Sequence, residues 1–173
     1  MHLAGAYCVG MRHDSEDRSD SLTRAAHELV TETASHQISR EIAHLAEINV
    51  DSHGVHAVSP PAGYRAPESG VITTHVLARS RDVPEATVET RVAVWIAEPG
   101  TESSTVLLTR ADSDRTLELA AEDLVPEPST HGRGQVNDFV AVIIAHMVSE
   151  LSSEMQRVHA RESTADVAEY DGP

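Results

Sequence analysis

Four segments rich in Val, Ile, Leu and Thr follow one another between residues 71 and 119, with short turn-forming sequences between them. The clearest, Thr87–Ala97, places Val, Thr or Ile at every second position, which is the period of a strand. A Pro-Gly turn at 98–101 leads to Thr105–Arg110, so these two segments are predicted to pair as an antiparallel hairpin. Connections this short argue against a parallel sheet, which needs long crossovers.

A helix and a further strand are predicted before these segments. Apolar residues recur at roughly helical spacing over Leu22–Ile42, and Asp20 or Ser21 is the expected N-cap of that helix. Alternation begins again in Ala46–Val58, where Gly54 is the expected position of a bulge or turn.

A second helix is predicted after the strands, over about Val136–His159, with Asn137 or Asp138 as its cap and His131–Gly134 as a preceding loop. The element order predicts an α+β fold, with an antiparallel sheet of about four to five strands flanked by a long N-terminal and a long C-terminal helix. We expect residues 1–20 to be a flexible segment, 21–160 a single α+β domain, and 161–173 a disordered tail.

The charge of the chain restricts its partners. It carries 28 acidic against 13 basic residues, a formal net charge of -15. Such a surface repels phosphate backbones and anionic membranes, so no nucleic-acid and no membrane partner is expected, although a halophilic or GC-rich source would also explain the acidity. The chain has a single Cys, no apolar run near the roughly 20 residues of a membrane span, and no basic signal-peptide start, so a cytoplasmic location is expected.

The reactive side chains form no recognisable catalytic or metal motif. His53 and His56 are the nearest approach to a metal site, but zinc normally takes three or four protein ligands, so surface histidines are the favoured interpretation. The serines lack the setting of a nucleophile elbow. We therefore expect no metal, no other cofactor and no enzymatic activity.

Apolar surface is the remaining signal. Either the helices cover one sheet face and complete a monomer, or a face remains for another chain, and we favour the second interpretation because the strands look apolar on both faces. The residues predicted to bind a client or a second subunit are Val92, Val94, Trp95, Ile96, Ile143, Met147, Leu151 and Met155.

The order of these segments resembles that of the SecB-like export chaperones, which include chaperones that guard antitoxins. Arg40–Val58 resembles their first strand and its lead-in, and Phe139–Met155 resembles their main helix. The resemblance implies a four-stranded antiparallel sheet, a dimer or tetramer, and ATP-independent capture of unfolded chains. The chain departs from the family in being poor in aromatic residues, which make up only 3% of it.

Three functions follow from these observations. The first is a non-enzymatic chaperone that holds unfolded or antitoxin clients and forms a homo-oligomer of identical subunits. The second is a structural assembly protein, such as a virus head or tail connector. The third is a small enzyme or ligand-binding domain with a His-containing pocket.

Overall fold

The computed structural model describes residues 7–55, 71–97, 105–110 and 115–169. Two long helices enclose five strands in the chain order, and a 3-10 turn at Ala121–Asp123 precedes the second helix. The elements are α1 (Tyr7–Glu41), β1 (Ala46–Val55), β2 (Val71–Ser80), β3 (Thr87–Ala97), β4 (Thr105–Arg110), β5 (Thr116–Ala120) and α2 (Thr130–Glu169). The predicted α+β class, with an antiparallel sheet and a long helix at each end, is confirmed.

The strands form one antiparallel sheet in the order β1-β2-β3-β4-β5, so each strand pairs with its neighbours in sequence. The predicted hairpin of β3 and β4 is confirmed. β1 differs from the prediction, because Gly54 lies opposite Ile72 in a regular register that continues to Val55 without a bulge. β2 provides a partner for every residue of β1, and this pairing outweighs the weak strand preference of glycine. β5 is one strand more than the SecB-like resemblance implies.

Both helices pack on the same side of the sheet, which we call the inner face. From α1, Thr31 Oγ1 lies 3.1 Å from Thr74 Oγ1 of β2. From α2, the carboxylate of Glu150 accepts a hydrogen bond of 3.3 Å from Arg110 of β4. The main core lies between the sheet and the two helices. Its strand residues lie on the same sheet face as Thr74 and Arg110, and they include Val76, Ala78, Val92, Val94, Val106, Leu108 and Leu119.

The helices are longer than the sequence pattern predicts. α1 begins at Tyr7, so Asp20 and Ser21 lie inside the helix and do not cap it. The polar residues 13–20 show no apolar period, yet no Pro or Gly interrupts the chain between residues 11 and 41 to stop a helix. α2 likewise continues to Glu169. The division into a 21–160 domain with a flexible start and a disordered tail stays a prediction.

The start of α2 also corrects the sequence interpretation. Ser129 is the N-cap: its Oγ accepts a 2.9 Å hydrogen bond from the Gly132 backbone N–H and donates a 2.6 Å bond to Asp123 Oδ1. His131–Gly134 is therefore the first helical turn and not a loop. A Cβ on Gly132 would lie 2.6 Å from the Asp123 carbonyl oxygen. The glycine therefore permits a close approach of two backbone segments and does not mark a loop.

The segment Thr130–Thr164 of α2, within the part of the chain that the structure describes, is long and apolar enough to cross a membrane by length and composition alone. Core helices of globular domains meet the same criterion, and Val136, Ile143 and Met147 of this segment are buried in the core of the chain. The cytoplasmic location stays a prediction.

Candidate functional site

The structure separates the eight residues predicted to bind a client or subunit into two groups. Seven belong to the main core or to its border: Val92, Val94, Ile143, Met147 and Leu151 are buried, and Ile96 and Met155 are partly buried against them. Their side chains already pack inside the single chain, because both helices cover the same sheet face. Trp95 is also buried, but it lies on the opposite face of β3 and outside the main core.

This opposite side, the outer sheet face, carries a second small apolar group. Trp95 stands directly opposite Leu107 in the register of β3 and β4, and the two side chains are only 3% and 1% exposed. Neither residue belongs to the core cluster that contains the helices. Directly opposed large apolar side chains stabilise an antiparallel pair, so Trp95 and Leu107 form a stabilised patch of their own.

A hydrogen bond fixes the indole ring of this patch. Trp95 Nε1 donates to Thr109 Oγ1 at 2.6 Å, and both side chains are buried. Ala93 lies between Thr109 on β4 and Thr73 on β2, and all three are buried. A buried Trp normally needs a partner for its N–H, and Thr109 supplies it without adding charge.

The outer sheet face becomes charged toward β1. His75 Nε2 lies 3.2 Å from Glu89 Oε2, and Arg91 donates to the other oxygen of the same carboxylate at 3.4 Å. On β1, Asn49 Nδ2 donates to Asp51 Oδ2 at 2.8 Å. These are exposed interactions that contribute little stability. The face therefore joins an apolar, Trp-centred end to a polar end.

Arg110 is a buried charge that sequence reading missed. Its side chain is 5% exposed on the inner face, where Nε donates to Thr90 Oγ1 at 3.1 Å and NH2 donates to Glu150 Oε1 at 3.3 Å. Arg110 follows Val106 and Leu108 at two-residue steps along β4, so the alternation of the strand predicts that its side chain points to the inner face. The guanidinium ties α2 to the end of the sheet.

An open cleft of about 430 Å³ lies between α1 and α2. Asn137, which lines this cleft, accepts 2.8 Å hydrogen bonds from Gln37 Nε2 at both its backbone O and its Oδ1, so Asn137 joins the helices and does not cap α2. Glu32 and Arg133 face each other at 3.9 Å. The lining combines two opposite charges and a histidine with apolar surface: Leu29, Glu32, Thr33, His36, Arg133, Gly134 and Asn137.

His27 is the unusual histidine of α1. Its Nε2 is buried and has no hydrogen-bond partner among the described residues. Burial lowers the pKa of His27 below its usual 6.5, and the adjacent Glu28 carboxylate opposes this shift. The imidazole is therefore held neutral at physiological pH. Spacing in the sequence gives no signal for it, because its environment depends on tertiary packing.

The two histidines considered as metal ligands lie largely outside the described residues, so this interpretation stays a prediction. The backbone of His53 lies in β1 opposite Thr73, whereas its side chain and the whole of His56 lie outside the described residues. Within the described ranges, no group of three His, Cys, Asp or Glu side chains is placed to hold a metal ion.

Comparison of the chain with protein-family models, with curated proteins and with solved structures found no match. The SecB-like resemblance therefore stays a prediction.

Proposed function

We propose that this protein is a non-enzymatic protein-binding domain, an ATP-independent chaperone of SecB-like type that holds an apolar segment of an unfolded or antitoxin client on its outer sheet face. The observation that supports the proposal is the Trp95–Leu107 patch, which lies apart from the main core on the face opposite both helices. A sheet that is apolar on both faces normally packs against something on each.

The energetics set the character of this binding. Burial of apolar area contributes roughly 25 cal/mol per Å², and a Trp side chain presents about 150–250 Å². Because Trp95 and Leu107 are already almost fully buried, a client gains only the excess over the contacts that it replaces. We therefore expect weak, reversible binding that follows local opening of the face. The net charge of -15 keeps a chaperone with a bound client soluble through self-repulsion.

The test is suppression of aggregation by the full chain when a chemically denatured client is diluted into buffer without ATP. The wild type is expected to slow aggregation, and Trp95→Ala is expected to abolish this effect. Val92→Ala is the matched control, because it also removes a buried side chain from β3 but on the inner face. Both variants are compared below their melting temperatures. A wild type that leaves client aggregation unchanged would refute the proposal.

A structural assembly role is the second candidate, supported by the length of the helices. The 40 residues of α2 span about 60 Å, whereas the 11 residues of β3 span about 36 Å. Helix ends that exceed the sheet are suited to contacts between neighbouring subunits. Electron microscopy that shows rings or tubes of the purified chain would favour this function over the chaperone.

The cleft between α1 and α2 supports the third candidate, a ligand-binding domain. His36 and Arg133 are positioned there to meet an anionic or metal-bound small molecule. Elemental analysis that returns a stoichiometric metal ion, lost in His36→Ala, would favour this function, whereas a metal-free protein would remove its main support.

A further inference from the structure

The cleft between α1 and α2 presents a carboxylate and a guanidinium group side by side. Glu32 Oε2 lies 3.9 Å from Arg133 NH1, and these side chains are 73% and 52% exposed. This distance is longer than a hydrogen bond, so the two groups attract each other without using up their donors and acceptors. Each group can therefore still bind a charge of the opposite sign.

Helical spacing brings further hydrogen-bonding groups to the same cleft. His36 lies one turn beyond Glu32 on α1, and Asn137 lies one turn beyond Arg133 on α2. The His36 ring and the Asn137 amide both carry N–H donors. The 2.8 Å bonds from Gln37 to Asn137 hold the two helices together, so the cleft is already formed before a ligand binds.

We propose that this cleft binds a free α-amino acid as its zwitterion, with the ammonium group against Glu32 and the carboxylate against Arg133. The ligand lies alongside the ion pair of the protein with its own charges in the opposite order, so the pair does not have to separate. The two charged groups of an α-amino acid are joined through a single carbon atom, and this short spacing suits protein groups that are 3.9 Å apart. His36 and Asn137 add donors for the carboxylate.

The charges of the chain favour a zwitterion over a simple ion. An anion at Arg133 would also lie close to the Glu32 carboxylate, and the net charge of -15 repels it further. A cation at Glu32 would likewise meet the Arg133 guanidinium. An α-amino acid has no net charge and provides each group with a partner of the opposite sign.

The shape of the cleft sets the affinity. Its volume of about 430 Å³ is within the range of small-molecule sites, but the cleft is open to solvent. Leu29 is only 3% exposed and offers a ligand little apolar contact. Recognition therefore depends on the ammonium and carboxylate groups that all α-amino acids share. We expect a Kd of about 0.1–1 mM and little preference between ligand side chains.

The test is a titration of the full chain with each of the common L-amino acids, followed by NMR of the backbone amides. Saturable shifts are expected at Glu32, Arg133 and Gly134. The N-acetyl derivative of the best ligand lacks the ammonium group and imitates a peptide C-terminus, and its amide lacks the carboxylate and imitates a peptide N-terminus. Both should bind about tenfold more weakly, as should 6-aminohexanoic acid, whose charges are far apart.

Four variants locate the ligand. An ideal Cβ on Gly134 would meet nothing within 4 Å, so Gly134→Met should fill the cleft without a backbone clash and abolish binding while both charges remain. Glu32→Gln and Arg133→Gln each remove one charge and should weaken binding about tenfold. Arg157→Gln is the matched control, because it removes an exposed arginine of the same helix that pairs with Glu154 outside the cleft. Circular dichroism melting verifies that each variant is folded.

This inference names the ligand of the cleft that supports the third candidate function, and it does not depend on the outer sheet face. A wild type that binds amino acids without slowing client aggregation would support this inference and refute the chaperone. A cleft that binds a metal ion but no amino acid would support the third candidate alone and overturn the inference.

Two further results would also overturn it. The first is inorganic phosphate or the N-acetyl derivative binding as tightly as the free amino acid, because the ammonium group would then contribute nothing. The second is amino-acid binding that Gly134→Met leaves intact, because the ligand would then lie outside the cleft.

Discussion

Gly132 and Gly134 occupy the first turns of the same helix, yet the structure predicts opposite effects of adding one methyl group to each. An ideal Cβ on Gly132 would lie 2.6 Å from Asp123 O and 3.1 Å from Asp123 Cβ. The same atom on Gly134 would meet nothing within 4 Å. Alanine is a better helix residue than glycine by about 1 kcal/mol, so only the clash separates the two substitutions.

The clash at Gly132 has no easy relief. The Asp123 carbonyl accepts a 2.9 Å hydrogen bond from the Ser129 N–H, and the Asp123 carboxylate accepts another from Ser129 Oγ. Moving this backbone would therefore disturb the N-cap of α2. Overpacking costs about 1–3 kcal/mol and a lost cap about 1 kcal/mol. After the helix-propensity gain, we expect Gly132→Ala to lower the free energy of unfolding by about 1–3 kcal/mol.

Urea unfolding followed by circular dichroism measures both variants against the wild type. Gly134→Ala is expected to raise the free energy of unfolding by up to about 1 kcal/mol. In a chain of this length each kcal/mol corresponds to a Tm change of about 2–4 °C, so the two variants should differ clearly in thermal melts as well. Equal stability of Gly132→Ala and Gly134→Ala would refute the close approach of Asp123 to α2.

Three further substitutions address the buried polar groups. Because the pKa of His27 is lowered in the folded state, the unfolded chain takes up a proton more readily than the folded chain. The free energy of unfolding should therefore fall as the pH drops through 6.5 toward the lower folded pKa. His27→Gln should reduce this loss, as measured by urea midpoints at a series of pH values. Glu150→Gln should cost about 1–2 kcal/mol in urea unfolding, because it removes the negative charge of a carboxylate that pairs with the buried Arg110 guanidinium. Thr109→Val should cost about 1–3 kcal/mol by leaving the Trp95 N–H unsatisfied, and a double-mutant cycle with Trp95→Phe should show that the two losses are not additive.

Exposed residues of the same types are the controls. His36→Gln and Glu85→Gln should each change the free energy of unfolding at neutral pH by less than about 0.5 kcal/mol, as is usual for surface positions. Acid dependence unchanged by His27→Gln, or a Glu150→Gln effect no larger than that of Glu85→Gln, would contradict the reasoning.

The strands could be predicted from the sequence because their determinants are local. Alternation over Thr87–Ala97 and the turn after it gave β3 and its hairpin with β4, with the bounds that the structure has. The same alternation placed Trp95 and Val94 on opposite faces. The helix ends could not be predicted in this way. The polar start of α1 lacks an apolar period. Near the start of α2, Gly132 is typical of a loop in the sequence, and only the structure shows that it is needed for the close approach of Asp123.

The candidate site was less predictable because it depends on which sheet face the helices cover. The two-residue period of β3 predicts that Val94 and Trp95 point to opposite sheet faces. It does not predict that α1 and α2 both pack on the face of Val94. The contact of Gln37 with Asn137 beside the cleft joins residues one hundred positions apart, and packing buries the His27 nitrogen that has no partner within the described ranges. No short-range pattern carries such information.

The meander order of the sheet has a consequence for how the chain folds during its synthesis. Every strand meets its partner as soon as the next segment leaves the ribosome, so the hairpins can form one after another with little loop-closure entropy. α2, however, is made last. Until α2 is synthesised, the apolar inner face of the sheet, which includes Leu108 and Leu119, is covered by only one of its two helices. The nascent polypeptide is therefore most prone to aggregate at that stage.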